Sequence, residues 1–189
     1  MKKYMLIFFA LFSSSAFAMP VSEIIADIAR QSGVDKKVYY SIIKIESDWE
    51  SNIVAFNASK EFYNELKPLK KIIGDISLKF IRPNRVVIIA DRESIISIAQ
   101  VLYARKINFD LGLAQINSVN FKENEIPKMF EPKYNLIKAN NVLAQCAEYY
   151  RISPKSIIEC YNKGFRKHRN YAYFQKFLKA YKYYAKEGL

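Results

Sequence analysis

The sequence predicts a mainly α, α+β fold: one domain of packed helices with a single small β-hairpin in its middle. Three observations predict it. Apolar residues recur at helical spacing through most of the chain, with caps and stops where helices need them. One region alone, about Leu69 to Ala90, switches to β-branched and alternating runs around Pro83-Asn84. The 189 residues, 51% hydrophobic and 15% aromatic with only 5 Gly and 6 Pro, are enough for one core and are not the composition of a disordered chain.

The elements follow in order. "MKKYMLIFFALFSSSAFA" has a basic start (Lys2, Lys3), an apolar run from about Met5 to Phe12 and an Ala16-Phe17-Ala18 cleavage pattern. It reads as a signal peptide over residues 1–18, too short to span a membrane, with the folded domain over 19–189. No later segment reads as transmembrane. An exported chain of this lysine-rich kind suits a bacterial periplasm. The first helix runs from about Val21 to Gln31, with Ser22 as a cap and Gly33 as the stop. The second starts at Asp35, a good N-cap, and carries Glu46 near its end. "SNIVAFNASK" reads as loop. After the hairpin, "RESIISIAQVLYARK" places Ile95, Ile98, Ala99 and Leu102 on one helical face. Further helices are expected at about Ala114–Phe121, Leu136–Tyr150, Pro154–Asn162 and Asn170–Lys186. The last of these carries Tyr171, Phe174, Phe177, Leu178 and Tyr181 on one stripe. Such a stripe offers sugar-stacking rings, but packing on the core is the favoured reading.

Without Lys2 and Lys3 the chain keeps 28 basic residues against 18 acidic, a formal charge of +10. In an exported protein this points away from nucleic acid. It points to an acidic surface polymer or anionic membrane, or to solubility alone. Cys146 and Cys160 lie on consecutive helical segments; export permits a disulfide, favoured here over two buried thiols. Their spacing fits no zinc pattern, and His168, in a basic turn, lends little to a metal site. Phosphate-binding glycine loops and a Ser-His-Asp signature are absent, so no cofactor and no metal is expected, and the chemistry falls to carboxylates.

Within "VYYSIIKIESDWE", Val38, Ile42 and Ile45 form an apolar stripe, and Glu46 follows Ile42 and Ile43 by one turn. Partial burial there raises a carboxyl pKa, and an acid still protonated near neutrality can protonate a leaving oxygen, as in glycosidic cleavage. The plainer reading is a solvated acid at a helix end. "NFDLGLAQINSVNF" sets Gly112 in a tight approach to a helix, with the uncharged amides of Gln115 and Asn117 framed by Leu111, Leu113 and Ile116. Amides bind sugar hydroxyls and N-acetyl groups without adding charge. "IIECYNKGF" ends an apolar helix with Tyr161 and Asn162 before Gly164; a tyrosine hydroxyl there could orient a carboxyl group.

Together the three stretches resemble the lytic transglycosylases with a goose-lysozyme-like catalytic domain. "IES" is similar to the family's glutamate-serine motif, "GLAQIN" to its glycine-leucine-methionine-glutamine motif and "CYNKG" to its alanine-tyrosine-asparagine motif, in the same order. The likeness runs from about Val21 to Gly164. "NFDLGLAQINSVNF" with "EPKYNLIKANNVLAQC" looks closest to the branch associated with type IV secretion and related export machines. The resemblance implies a lysozyme-like domain, with the β-hairpin forming a lobe between the helix of Glu46 and the "GLAQIN" segment. It implies Glu46 as the single catalytic acid, cleaving between N-acetylmuramic acid and N-acetylglucosamine with 1,6-anhydro ring closure. It implies Ser47 as polar support, Gln115 and Asn117 near the substrate groove, and Tyr161, followed by Asn162, as the tyrosine contacting the acid. Peptidoglycan glycan strands are the implied partner, with secretion-apparatus proteins beside them. Ala114 stands where the family often has methionine. Cys160 stands where alanine is usual, which fits a bridge to Cys146.

Two other readings stay open at this level. A muramidase of the same fold would use water and a second carboxylate. Asp110 is the candidate, its plainer role being a helix cap; Asp48 should face elsewhere on its helix, and Glu61 and Glu65 lie in an uncertain region. The third reading is a non-enzymatic wall-binding component. "NKGFRKHRN" is the candidate surface for a partner or for the wall, with a plain solvated turn as the alternative.

Overall fold

In a computed structural model the described residues are 19–189 except 82 and 168. The signal-peptide reading, Arg82 beside the hairpin turn and His168 lie outside them. Helix α1 (Val21–Ser32) buries Ile24, Ile25 and Ile28 and stops at Gly33, whose φ of 70° lets its N–H reach the Ala29 carbonyl. Ser22 is not its cap; it lies inside the helix, after Pro20. Helix α2 (Lys36–Glu46) is capped by Asp35, which accepts from the Lys37 N–H. Its buried stripe is Tyr39, Ile42 and Ile43, turned slightly from the expected Val38-Ile42-Ile45 line. Glu46 therefore lies one turn beyond two fully buried isoleucines, on the same face.

The β structure is larger than one hairpin. The expected pair forms as β2 (Ser77–Ile81) and β3 (Arg85–Ile89), turning at Pro83-Asn84. It belongs to an antiparallel five-stranded sheet, ordered β2-β3-β1-β4-β5, with β1 (Ile53–Asn57), β4 (Phe109–Leu111) and β5 (Ile116–Asn117). Strand β1, expected as loop, is the middle of the sheet. Its Ile53, Val54, Ala55 and Phe56 are all buried, so the run lacks the polar alternation that marks a half-exposed strand. The helix expected at Ala114–Phe121 is absent. Leu113 and Ile116 have helical spacing, but Gln115 sits at φ 47° and reverses the chain into β5. A short 3-10 turn (Ser118–Asn120) follows, capped by Asn117, and then a 3-10 helix (Glu123–Phe130).

Helices α3 (Lys60–Leu66) and α4 (Leu69–Ile72) fill the span between β1 and β2. Helix α5 (Arg92–Ala104) follows the sheet with Ile95, Ala99 and Leu102 buried, capped by Asp91. Helices α6 (Pro132–Tyr150), α7 (Pro154–Lys163) and α8 (Ala172–Lys186) complete the fold. A disulfide joins Cys146 on α6 to Cys160 on α7. Helix α8 runs antiparallel to α2: Tyr173 meets Glu46 at one end, and Tyr181 donates to Asp35 at the other, 2.9 Å away. Its buried residues are Tyr173, Phe177 and Tyr184, so the aromatic face is rotated from the expected stripe and packs inward.

The sheet has one core face and one open face. Cross-strand pairing aligns Leu78, Ile88, Val54, Leu111 and Ile116 in one row, all buried. The neighbouring row on the other face is Lys79, Val87, Ala55, Asp110 and Asn117. Because side chains alternate along each strand, the pairing that buries the first row presents the second to a cleft. Among the described residues no helix is long and apolar enough to cross a membrane.

Candidate active site

The open face of the sheet and the ends of α2 and α7 enclose a cleft of about 1040 Å³. The residues of the three motifs line it, Glu46, Ser47, Gln115, Asn117, Tyr161 and Asn162, together with Asp110 and the disulfide of Cys146 and Cys160. Asp48 also borders it, exposed and ion-paired with Lys44; Glu61 and Glu65 do not.

The floor is the turn from Leu111 to Gln115, and its backbone is held at four successive carbonyls. Leu111 O accepts from Asn135 Nδ2 (3.0 Å), Gly112 O from Gln115 Nε2 (3.0 Å), Leu113 O from Ser47 Oγ (2.7 Å) and Ala114 O from the Tyr161 hydroxyl (2.7 Å). Asn135, fully buried on α6, also accepts from the Ala114 N–H at 2.7 Å. Buried backbone groups need such partners, so these side chains lock the turn. Gly112 is required twice over: its φ is 72°, and a Cβ there would meet Met129 O at 2.4 Å. Ala114 is fully enclosed, leaving little room for a longer side chain at that position.

Ser47 and Tyr161 are therefore fastenings between helices and turn. The expectation that Tyr161 hydrogen-bonds Glu46 is corrected by this arrangement. The hydroxyl that reaches Glu46 is that of Tyr173, which donates to Oε1 at 2.5 Å. Tyr173 is set by a second carboxylate. Glu159 on α7, fully buried, accepts from the Phe174 N–H at 2.8 Å and pairs with Lys163 at 2.5 Å. A carboxylate at the first turn of a helix satisfies free N–H groups and complements the helix dipole. Burial opposes ionisation of Glu159, but these donors together hold its pKa below the usual range.

Burial pushes the Glu46 pKa up to about 7. The Tyr173 hydrogen bond opposes the rise, as do the charges of Arg85 and Lys176, while the Asp110 charge adds to it. Near neutrality Glu46 thus exists in both protonation states and can give or take a proton. The Tyr161 and Tyr173 hydroxyls are pushed well above the usual tyrosine range by burial first, then by the nearby Glu46 charge, so they stay protonated donors.

Asp110 does not cap a helix; it is the middle residue of β4, and the first 3-10 turn after it is capped by Asn117. Its Oδ2 accepts from Arg85 Nη2 at 2.5 Å and its Oδ1 from Asn117 Nδ2 at 2.7 Å. Asn117 also donates to Asn108 Oδ1 at 2.5 Å. Gln115 and Asn117 thus belong to the turn and the Asp110 cluster as well as to the cleft wall. Asn162 lies beside Tyr161 along the same rim. Arg85, Asn135, Glu159 and Tyr173 escaped the sequence reading; each acts on a partner remote in the chain, and the one local signal was a glutamate inside the apolar run of "IIECYN".

A family model described as Transglycosylase SLT domain matches residues 23–184. No curated protein and no solved structure matches the chain.

Proposed function

The chain belongs to the transglycosylase SLT family, whose members are lytic transglycosylases acting on peptidoglycan, and we propose that Glu46 is its single catalytic acid and base. The observation that carries this reading is a carboxyl with a pKa of about 7 facing a cleft whose other enclosed carboxylate, Asp110, is engaged at both oxygens.

Protonated Glu46 donates to the glycosidic oxygen between N-acetylmuramic acid and N-acetylglucosamine as the C1–O bond breaks. The resulting carboxylate takes the proton of the muramyl C6 hydroxyl, whose oxygen closes on C1. The products are a 1,6-anhydromuramyl end and a free N-acetylglucosamine hydroxyl; no water is consumed, and Glu46 ends protonated as it began. Positioned proton transfer of this kind contributes ~10²–10⁴-fold. Tyr173 keeps the carboxyl oriented and stabilises its ionised form between the two transfers. Ser47 and Tyr161 hold the turn beneath it, and Gln115, Asn117 and Asn162 border the path of the glycan.

A muramidase would need a second base to activate water. The donors on Asp110 argue against it in that role. We further propose export to the periplasm and local opening of the wall for a type IV secretion or related envelope machine. The leader-like residues 1–18 and the resemblance of "NFDLGLAQINSVNF" to that branch support this. Loss of the gene without loss of secretion or conjugation would refute it.

Mass spectrometry of purified peptidoglycan digested by the protein, with Glu46→Gln alongside, tests the chemistry. Muropeptides ending in 1,6-anhydromuramic acid, absent with the variant, are expected. Reducing ends would identify water as the nucleophile, and anhydro products from Glu46→Gln would remove Glu46 from the mechanism.

A further inference from the structure

Beside the cleft lies a second hollow of about 580 Å³, lined by Gln145, Glu148, Tyr149, Arg151 and Phe165. Two of these residues, Gln145 and Phe165, also line the cleft, so the two spaces adjoin along one wall. The hollow carries large aromatic rings that the fold leaves outside its core: Tyr149 is 63% exposed and Phe165 53%. Single exposed apolar side chains are ordinary, but here two rings touch, with centroids 5.5 Å apart, at the rim of a cleft for a polymer.

The platform is braced. The Tyr150 hydroxyl donates to the Arg166 carbonyl at 2.6 Å, pinning the segment after α7 to the end of α6. The Cys146–Cys160 disulfide joins α6 to α7 itself, one turn away from Tyr149. Rigid aromatic rings with an amide, a carboxylate and a guanidinium around them suit a sugar, which has apolar faces edged by hydroxyls and amides.

We propose that the Tyr149–Phe165 hollow is an accessory saccharide site, binding a further sugar of the glycan strand where the strand leaves the cleft. It rests on the reading of the cleft as the glycan site. Its occupant follows from continuity: the strand in the cleft passes Gln145 and Phe165 before it reaches Tyr149. The site favours long strands over short ones.

The test measures the affinity of the Glu46→Gln protein for peptide-free peptidoglycan glycan strands, a tetrasaccharide and a decasaccharide. Adding Tyr149→Ala should weaken decasaccharide binding about tenfold, the scale of one aromatic contact, and leave the tetrasaccharide unchanged. Tyr149→Trp should keep decasaccharide affinity. Tyr149 is exposed, so an unchanged unfolding temperature is expected and checks the fold. Equal affinities before and after Tyr149→Ala, or equal losses at both lengths, would overturn the proposal while leaving the cleft reading intact. Failure of the Glu46→Gln protein to bind either strand would overturn the cleft reading, and this site with it.

Discussion

Replacing Glu46 by glutamine should change how stability depends on pH, independently of any substrate. The carboxyl moves from 4.5 in the unfolded chain to about 7 in the folded one. A shift of that size means the folded state holds the proton about 3 kcal/mol more tightly. The raised folded value sets the sign. Below pH 4.5 both states are protonated and the site carries no ionisation cost. As pH rises from 4.5 to 7, the unfolded chain ionises freely while the folded chain must keep its proton or bury a charge. The stability contributed by the neutral acid is therefore lost across that window and is gone above it. Glutamine fills the same space, still accepts from Tyr173 and does not titrate. The stability of Glu46→Gln relative to the parent should rise by up to ~3 kcal/mol between pH 4 and pH 8 and then level off. Urea unfolding at fixed pH values measures this; with a slope near ~2 kcal/mol per molar for a domain of this size, the midpoints should separate by up to ~1.5 M. A difference that stays flat from pH 4 to 8, or that grows toward acid, would refute the claim that burial dominates at Glu46.

Three further outcomes follow from the same geometry. Activity measured as kcat/KM should fall about tenfold per pH unit above roughly pH 7, because the acid form of Glu46 is required; a constant rate from pH 6 to 9 would exclude it as the proton donor. Tyr173→Phe removes a hydrogen bond that favours the Glu46 carboxylate, so the alkaline limb should move to higher pH while kcat falls; an unmoved limb would dissociate Tyr173 from the acid. Cys160→Ala opens a bridge between residues 14 apart and should cost about 3 kcal/mol in thermal or denaturant unfolding, as expected for a loop of that length.

Much of the site was legible because it rests on short-range rules. Helical spacing marked α2 and put Glu46 one turn past Ile42 and Ile43. The turn chemistry of "GLAQIN" and the tyrosine-asparagine ending of α7 marked two more walls, and all three segments meet at one cleft. Asp35 and Gly33 bounded their helices as local capping demands. Gly112 was recognisable as a tight turn, though not as the point where a Cβ would strike Met129 O and Asn135.

Other features depend on groups that the chain brings together only by folding. Strand β1 is flanked in the sheet by β3 and β4, with one face on the core and the other on the cleft floor, so its four apolar residues are all enclosed, carry no alternating signal, and its asparagines suggest a loop. The apparent helix after Gly112 has the right apolar spacing, but Gln115 turns back at positive φ because Ser47, Asn135 and Tyr161 take up the turn's carbonyls from other elements. Periodicity cannot report such partners. Likewise Tyr161 stands in the last turn of α7 and Tyr173 in the first turn of α8, and only the antiparallel packing of α8 on α2 assigns the hydroxyl at Glu46 to Tyr173, 127 residues away. Sequence alone determined the fold class and which acid stands beside the core, since both follow from spacing along one helix or turn. Tertiary structure decided what that acid touches and how far its proton affinity rises, since desolvation and hydrogen bonding are properties of the assembled neighbourhood.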